Sequence, residues 1–417
     1  MITNYTHTAV ERFLKYVTID TQSDPVSNAF PSTDKQKNMS ELLVKELQEM
    51  GIENACTDVD GYVYATIPAN TAKQVAAICF CSHIDTAPDC SGTNVKPILH
   101  QHYNGAAIVL PDDNTQVITV EKYPYLQQHI GNNIITASGK TLLGADDKSG
   151  VAIIMDMANY LMQNPTVPHG KIVLLFTPDE EVGRGTEKLA VAKLQADYAY
   201  TLDGGEAGSY EEETFSADAA TITINGVIAH PGYGKNVLIN ALKIAGEILA
   251  ALPKDGWSPE TTEGREGFVH PVSINGISEK ACIDFIIRDF ETAQLTVHAN
   301  KLKSIAENVV AKYAGATMEF AVKEQYRNMK QVLDQHPNIA AYAEIAYKNV
   351  GLPFNKAAIR GGTDGSKLSF MGLPTANIFT GMQAIHSKHE WIGVKDMLAA
   401  VAVLVQLVQV WEQKGVK

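Results

Sequence analysis

Along the first half of the chain, short and almost wholly apolar runs alternate with stripes of apolar residues at helical spacing. The run Ile172-Val173-Leu174-Leu175-Phe176 has no polar position. Such a strand meets water on neither side and belongs inside a parallel sheet covered on both faces. Comparable runs predict strands at Val75 to Cys81, Lys171 to Thr177 and Tyr198 to Leu202, and the stripes predict helices over 37–50 and from Ser149 to Met162. Near the start, Val10, Phe13, Leu14 and Val17 are interleaved with Glu11, Arg12 and Lys15. That is an amphipathic helix rather than a basic stretch followed by an apolar secretory core. The stretch from Ser91 to Ser138, with Pro97, Pro111 and Pro124, is only weakly periodic and predicts loops with short antiparallel strands.

Beyond Glu211-Glu212-Glu213 the pattern changes. A strand (Ala219 to Ile224), a helix (Val237 to Leu252), two strands joined through Asn275-Gly276, a helix (Thr292 to Tyr313) and a strand (Met318 to Gln325) follow. This βαββαβ order is that of a small, self-sufficient ferredoxin-like α+β domain. The first pattern then resumes, with a helix over Asn338 to Asn349, a loop from Arg360 to Ser366, a strand at Ala376 to Thr380 and a helix from Val394 to Trp411. The expected organisation is an α/β domain with a mostly parallel central sheet in two pieces, residues 1–213 and 328–417, interrupted by an inserted domain at 214–327.

Composition narrows the function classes. The 34 basic and 47 acidic side chains among 417 residues leave a formal charge of −13, which speaks against nucleic acid or an anionic membrane as partner. No apolar run approaches the roughly 20 residues of a membrane span, so a soluble protein is expected. Cys56, Cys79, Cys81, Cys90 and Cys282 make an odd count without a C-x-x-C pair, which fits the cytoplasm. Cys79 and Cys81 lie two apart on a strand and are expected to be packed thiols facing one way.

Three of the apolar runs end in metal-binding side chains: His83 and Asp85 after the first, Asp179-Glu180-Glu181 after the second, Asp203 after the third. The run at 376–380 leads within six residues to His386, and Asp146 stands at the glycine-flanked start of a helix. If the strands are parallel, these groups meet at the sheet edge where open α/β proteins bind ligands. Two imidazoles and several carboxylates suit Zn²⁺, with Co²⁺ and Mn²⁺ as alternatives. They are too many for one tetrahedral ion, which points to two metals sharing a carboxylate about 3.5 to 4 Å from each other. Asp85, two residues past His83, can orient that imidazole, and the adjacent Glu180 and Glu181 can divide metal binding from proton transfer. Taken singly, each of these side chains is more readily a cap or a solvated charge. Asp147, Asp179 and Glu187 are read as caps or loop anchors, and His7, His100, His102, His129, His169, His298 and His336 as surface or structural.

The stretches Ser82-His83-Ile84-Asp85-Thr86, Gly144-Ala145-Asp146-Asp147-Lys148, Thr177-Pro178-Asp179-Glu180-Glu181, Leu202-Asp203-Gly204-Gly205, His230-Pro231-Gly232, Ile287-Arg288-Asp289, Arg360-Gly361-Gly362-Thr363-Asp364 and His386-Ser387-Lys388-His389-Glu390 resemble the M20 metallopeptidases, and within them the tripeptide aminopeptidases. The resemblance implies two zinc ions bridged by Asp146, one completed by His83 and Asp203 and the other by Glu181 and His386. It implies Glu180 as general base, Asp85 as the carboxylate orienting His83, and an inserted domain that serves as lid or dimer platform. His230, Arg288 and Arg360 are then suited to holding a short peptide substrate, the two arginines by clamping a terminal carboxylate. Glu206 and Met382-Gln383-Ala384-Ile385 depart from the tripeptidase pattern and alter the pocket walls. A dipeptidase, carboxypeptidase or N-acyl amino acid deacylase of the same superfamily, and a non-catalytic metal or peptide binder, remain the competing readings.

Overall fold

The structure, a computed structural model, describes residues 5–415. The chain divides into two compact units: residues up to Glu212 with Met329–Ala357 and Thr363 onward, and Glu213–Asn328 with Ala358–Gly362.

The first unit is organised on an eight-stranded sheet in the order Cys56–Thr57, Val63–Ile67, Ile172–Thr177, Ile78–His83, Tyr198–Gly204, Thr375–Phe379, Ser209–Thr214 and Asn355–Ile359. The four central strands run parallel. Val63–Ile67 and Ser209–Thr214 flank them antiparallel, so the sheet is mixed rather than parallel throughout. Both faces are covered, as the unbroken apolar runs require. Phe80, Leu174 and Phe176 belong to one core with Ile153, Met157 and Leu404, whereas Cys79, Cys81, Val173 and Leu175 belong to another with Leu368. Cys79 and Cys81 are thus packed thiols, and burial pushes Cys79 up to about 12. Register places His83 beside Thr177, so the central strands end together.

Helix Ala145–Gln163 packs on the strands Ile78–His83 and Tyr198–Gly204 and against helices Ala9–Tyr16 and Val394–Lys414. Among the described residues, Val394–Lys414 is the one helix long and apolar enough to cross a membrane, which the sequence reading had not expected. It lies buried against Ala145–Gln163 and Asn338–Asn349, with Val401, Leu404, Leu407 and Trp411 in the core. A smaller antiparallel sheet joins Met382–Gln383, Trp391–Gly393, Ile134–Thr136 and Ile98–His100. His386 sits in the connection between its first two strands.

The second unit is a four-stranded antiparallel sheet in the order Phe268–Gly276, Lys280–Asp289, Ser216–Asn225, Thr317–Tyr326. Helices Ala241–Ala250 and Thr292–Val310 pack on it over Ile222, Ile224, Ile244, Ile283, Phe285 and Leu302. Three details differ from the sequence reading. The hairpin turns at 277–280, not at Asn275-Gly276, because Gly276 still pairs with Ala281 and Ile277 N–H donates to Lys280 O at 2.8 Å. The first helix begins at Ala241, where Asn240 Oδ1 accepts the N–H groups of Leu242 and Lys243. Residues 358–362 cluster with this unit instead of with the returning segment, since Phe215 N–H bonds to Ile359 O and Gly361 O.

Candidate metal centre

The five side chains expected as ligands gather at the carboxyl edge of the central strands, around Asp146. Oδ1 of Asp146 lies 2.9 Å from His83 Nε2, and Asp203 Oδ1 is 3.8 Å from the same nitrogen. Oδ2 of Asp146 lies 3.2 Å from His386 Nε2, which is 3.0 Å from Glu181 Oε2. In each of the groups His83–Asp146–Asp203 and Asp146–Glu181–His386, one donor atom from every residue falls within 4.8 Å of the others. One carboxylate therefore faces two donor sets with its two oxygens.

Asp85 is fully buried and serves three neighbours. Oδ1 stands 3.4 Å from His83 Nδ1 and accepts the Glu180 N–H at 3.0 Å, while Oδ2 accepts the Glu181 N–H at 3.2 Å. The carboxylate expected to orient the histidine thus also anchors the backbone of the glutamate pair, an arrangement that spacing alone did not reveal.

Carboxylates are concentrated here around two imidazoles. Burial lowers the pKa of His83, but its bonds to Asp146 and Asp85 outweigh that and hold it well above its ordinary value. Burial likewise lowers His386, but its bonds to Asp146 and Glu181 outweigh that and raise it to about 11. Burial, then the charge of Asp146, pushes Glu181 up to about 7; burial and the Asp146 and Asp147 charges raise Asp203. Burial foremost also raises Glu180. Glu181 Oε1 is buried without a hydrogen-bond partner among the described residues. Carboxylates crowded together with little solvent contact, one with an orphaned oxygen, beside two imidazoles are the setting a divalent pair fits. His83, Asp146, Asp203, Glu181 and His386 are the residues that would hold it.

Several supporting acids escaped the sequence reading. Asp89 Oδ2 lies 3.4 Å from His386 Nδ1, the counterpart of Asp85 at His83. Glu390 accepts three backbone N–H bonds beside Asp146, and Asp364 accepts the Thr177 hydroxyl at 2.7 Å just before the glutamate loop. Asp147 accepts from the Ser82 hydroxyl and the His83 N–H, and Asp179 from Ser32 and Gln36, so both hold loops. His389, three residues past His386, bonds to Tyr123 and Lys122 instead.

The remaining expected residues lie in the second unit. His230 is exposed, and its Nδ1 accepts from Gly232 N–H at 3.2 Å. Arg288 lies over the Tyr326 ring, donates to Gln325 Oε1 at 2.8 Å, and forms no ion pair with a carboxylate among the described residues. Arg360 differs. Its guanidinium donates to the carbonyls of Gly264, Glu266 and Thr262 and lies over Phe215 and Phe268, so it holds the loop at 262–266.

Residues 132–410 match the family model described as peptidase family M20/M25/M40. Over 405 residues the chain is 45% identical to a protein named Peptidase T from Geobacillus thermodenitrificans (strain NG80-2), covering 97% of this chain and 98% of that one. It is 43% identical, at the same coverage, to Peptidase T of Listeria monocytogenes serotype 4b (strain F2365). Among solved structures, aminopeptidase PepT from Bacillus cereus ATCC 10987 superposes with a TM-score of 0.72 at 22% identity, over 97% of this chain and 98% of that one. A Bacillus subtilis protein described as a dinuclear metal binding peptidase from the M20 family superposes at 0.61 with 14% identity, over 96% and 97% of the two chains. By matched length and identity, the chain is a metallopeptidase belonging to peptidase family M20/M25/M40.

Proposed function

We propose that the enzyme is a di-zinc aminopeptidase that cleaves the N-terminal bond of short peptides, tripeptides foremost. The observation that carries this reading is the carboxylate of Asp146, whose two oxygens face two separate donor sets. The names of the relatives, Peptidase T and aminopeptidase PepT, support the substrate class. Bound there, a pair of divalent ions supplies Lewis acidity toward the scissile carbonyl and lowers the pKa of water. Glu180, half-buried and with its pKa raised by desolvation, takes a proton from the attacking water and returns it to the departing amine. Asp85 keeps Glu180 and Glu181 in place through their N–H groups while it orients His83. Arg288, a guanidinium with no carboxylate ion pair among the described residues, is suited to the terminal carboxylate of the peptide, and His230, whose Nδ1 accepts from Gly232 N–H, is suited to donate through Nε2 to the reacting carbonyl.

Tripeptides with free and with blocked amino termini, offered before and after chelation, test this function. Hydrolysis of the free peptides alone, lost on chelation and restored by Zn²⁺, Co²⁺ or Mn²⁺, is expected. Full activity in metal-free protein, or cleavage confined to blocked peptides, overturns it. Glu180→Ala is expected to retain metal while kcat falls by about 10²- to 10⁴-fold. Metal loss in that variant would exchange the roles of the two glutamates.

A further inference from the structure

Four residues after His386, the side chain of Glu390 is withdrawn from solvent, with 1% of the residue exposed. Its Oε2 accepts the N–H of Leu143 at 2.6 Å and of Gly144 at 2.8 Å, and its Oε1 accepts the N–H of Asp146 at 3.0 Å. The loop is shaped for this: Gly144 has φ +81°, a left-handed conformation that glycine adopts without penalty, and it turns successive N–H groups toward one point. Such a concave array of amides is an anion site. Here the anion is the chain's own carboxylate, drawn from 244 to 247 residues away.

We propose that Glu390 is a positioning residue that fixes Asp146 relative to His386 before any metal arrives. The inference rests on reading Asp146 as the bridging ligand. Asp146 can present its two oxygens to two donor sets only if its backbone is held, and the peptide N–H that fixes its orientation is bonded to Glu390. Because Glu390 and His386 share one short loop, the same three bonds set the distance between two ligands. A glutamine at this position keeps size but not function: its single oxygen serves either the Leu143 and Gly144 N–H pair or the Asp146 N–H, and its NH₂ then faces N–H donors on the other side.

Co²⁺ alone is the probe, titrated into metal-free wild type, Glu390→Gln, Glu390→Asp and Asp146→Asn and followed by visible absorption. Glu390→Gln is expected to bind Co²⁺ about 10- to 100-fold more weakly, with an altered spectrum, and to lose kcat for a tripeptide with little change in KM. Glu390→Asp, which keeps the charge, is expected to recover part of both. Wild-type Co²⁺ affinity and spectrum in Glu390→Gln overturn the proposal whatever happens to turnover. Wild-type Co²⁺ binding by Asp146→Asn defeats the underlying metal reading instead. If Glu390→Gln does not fold, hydrogen exchange of the metal-free wild type decides: protected amides at Leu143, Gly144 and Asp146 are expected, and exchange as fast as in exposed loops overturns the proposal.

Discussion

Glu211 is a carboxylate buried in the main sheet, where Asn377 Nδ2 donates to its Oε2 at 2.7 Å. The same asparagine accepts the Asp203 N–H at 3.0 Å, so Glu211 braces a candidate ligand through one intermediary. Burial pushes Glu211 from 4.5 up to about 7, and the bond from Asn377 recovers only part of the cost. A carboxyl whose pKa is higher folded than unfolded favours folding when protonated. Its contribution is full below pH 4.5 and is lost as the pH rises through about 7, a loss of about 3 kcal/mol. Glu211→Gln, which keeps an oxygen for Asn377, is therefore expected to raise Tm at pH 8 more than at pH 5. An equal shift at both values, read by calorimetry, would remove the carboxyl from this account. Single residues of this kind are hard to read from sequence. His83, Asp146, Glu181, Asp203 and His386 announce themselves by following apolar runs, whereas Glu211 and Glu390 acquire their roles from partners more than 160 positions distant.

Among elements, the helix Ala145–Gln163 carries the greatest constraint, because it crosses the strand ends at the candidate centre. A Cβ on Gly150 would lie 2.0 Å from Leu202 O, 2.5 Å from Asp147 Oδ1 and 2.8 Å from Ser82 Oγ. The glycine is required by close approach to backbone, not by its own torsions. Gly150→Ala is expected to lower stability by about 1–3 kcal/mol and to weaken Co²⁺ binding as the helix is levered off the strands. Unchanged Tm and metal affinity would show that the helix has room to shift. The long strands and helices were readable because period and apolarity coincide in them, as in 172–177. Of the small sheet holding Trp391–Gly393, only the short antiparallel strands within 91–138 were legible, since strands of two or three residues carry no period and Trp391–Gly393 pairs with Ile134–Thr136 across more than 250 positions. The turn at 277–280 was misplaced for a related reason: Asn-Gly marks a tight turn only where register allows it, and here Gly276 remains in the ladder.

At the level of the whole molecule, the two units have separate hydrophobic cores, and the metal-ligand candidates all belong to the first. Ion binding stabilises only the unit that holds the ion, by about 2.7 kcal/mol at a hundredfold excess over Kd. Hydrogen exchange with and without Zn²⁺ should therefore show added protection in the strands ending at His83 and Asp203 and little change in the strand Lys280–Asp289. Equal protection of both units would mean that they unfold as one. The first unit is also discontinuous, with His83, Asp146, Glu181 and Asp203 before the second unit and His386 after it. During translation the growing polypeptide holds four of the five candidate ligands while all of Glu213–Asn328 is still to be made. The proposed centre thus stays one donor short until the segment carrying His386 has emerged, so the metal pair can be assembled only when synthesis is nearly finished.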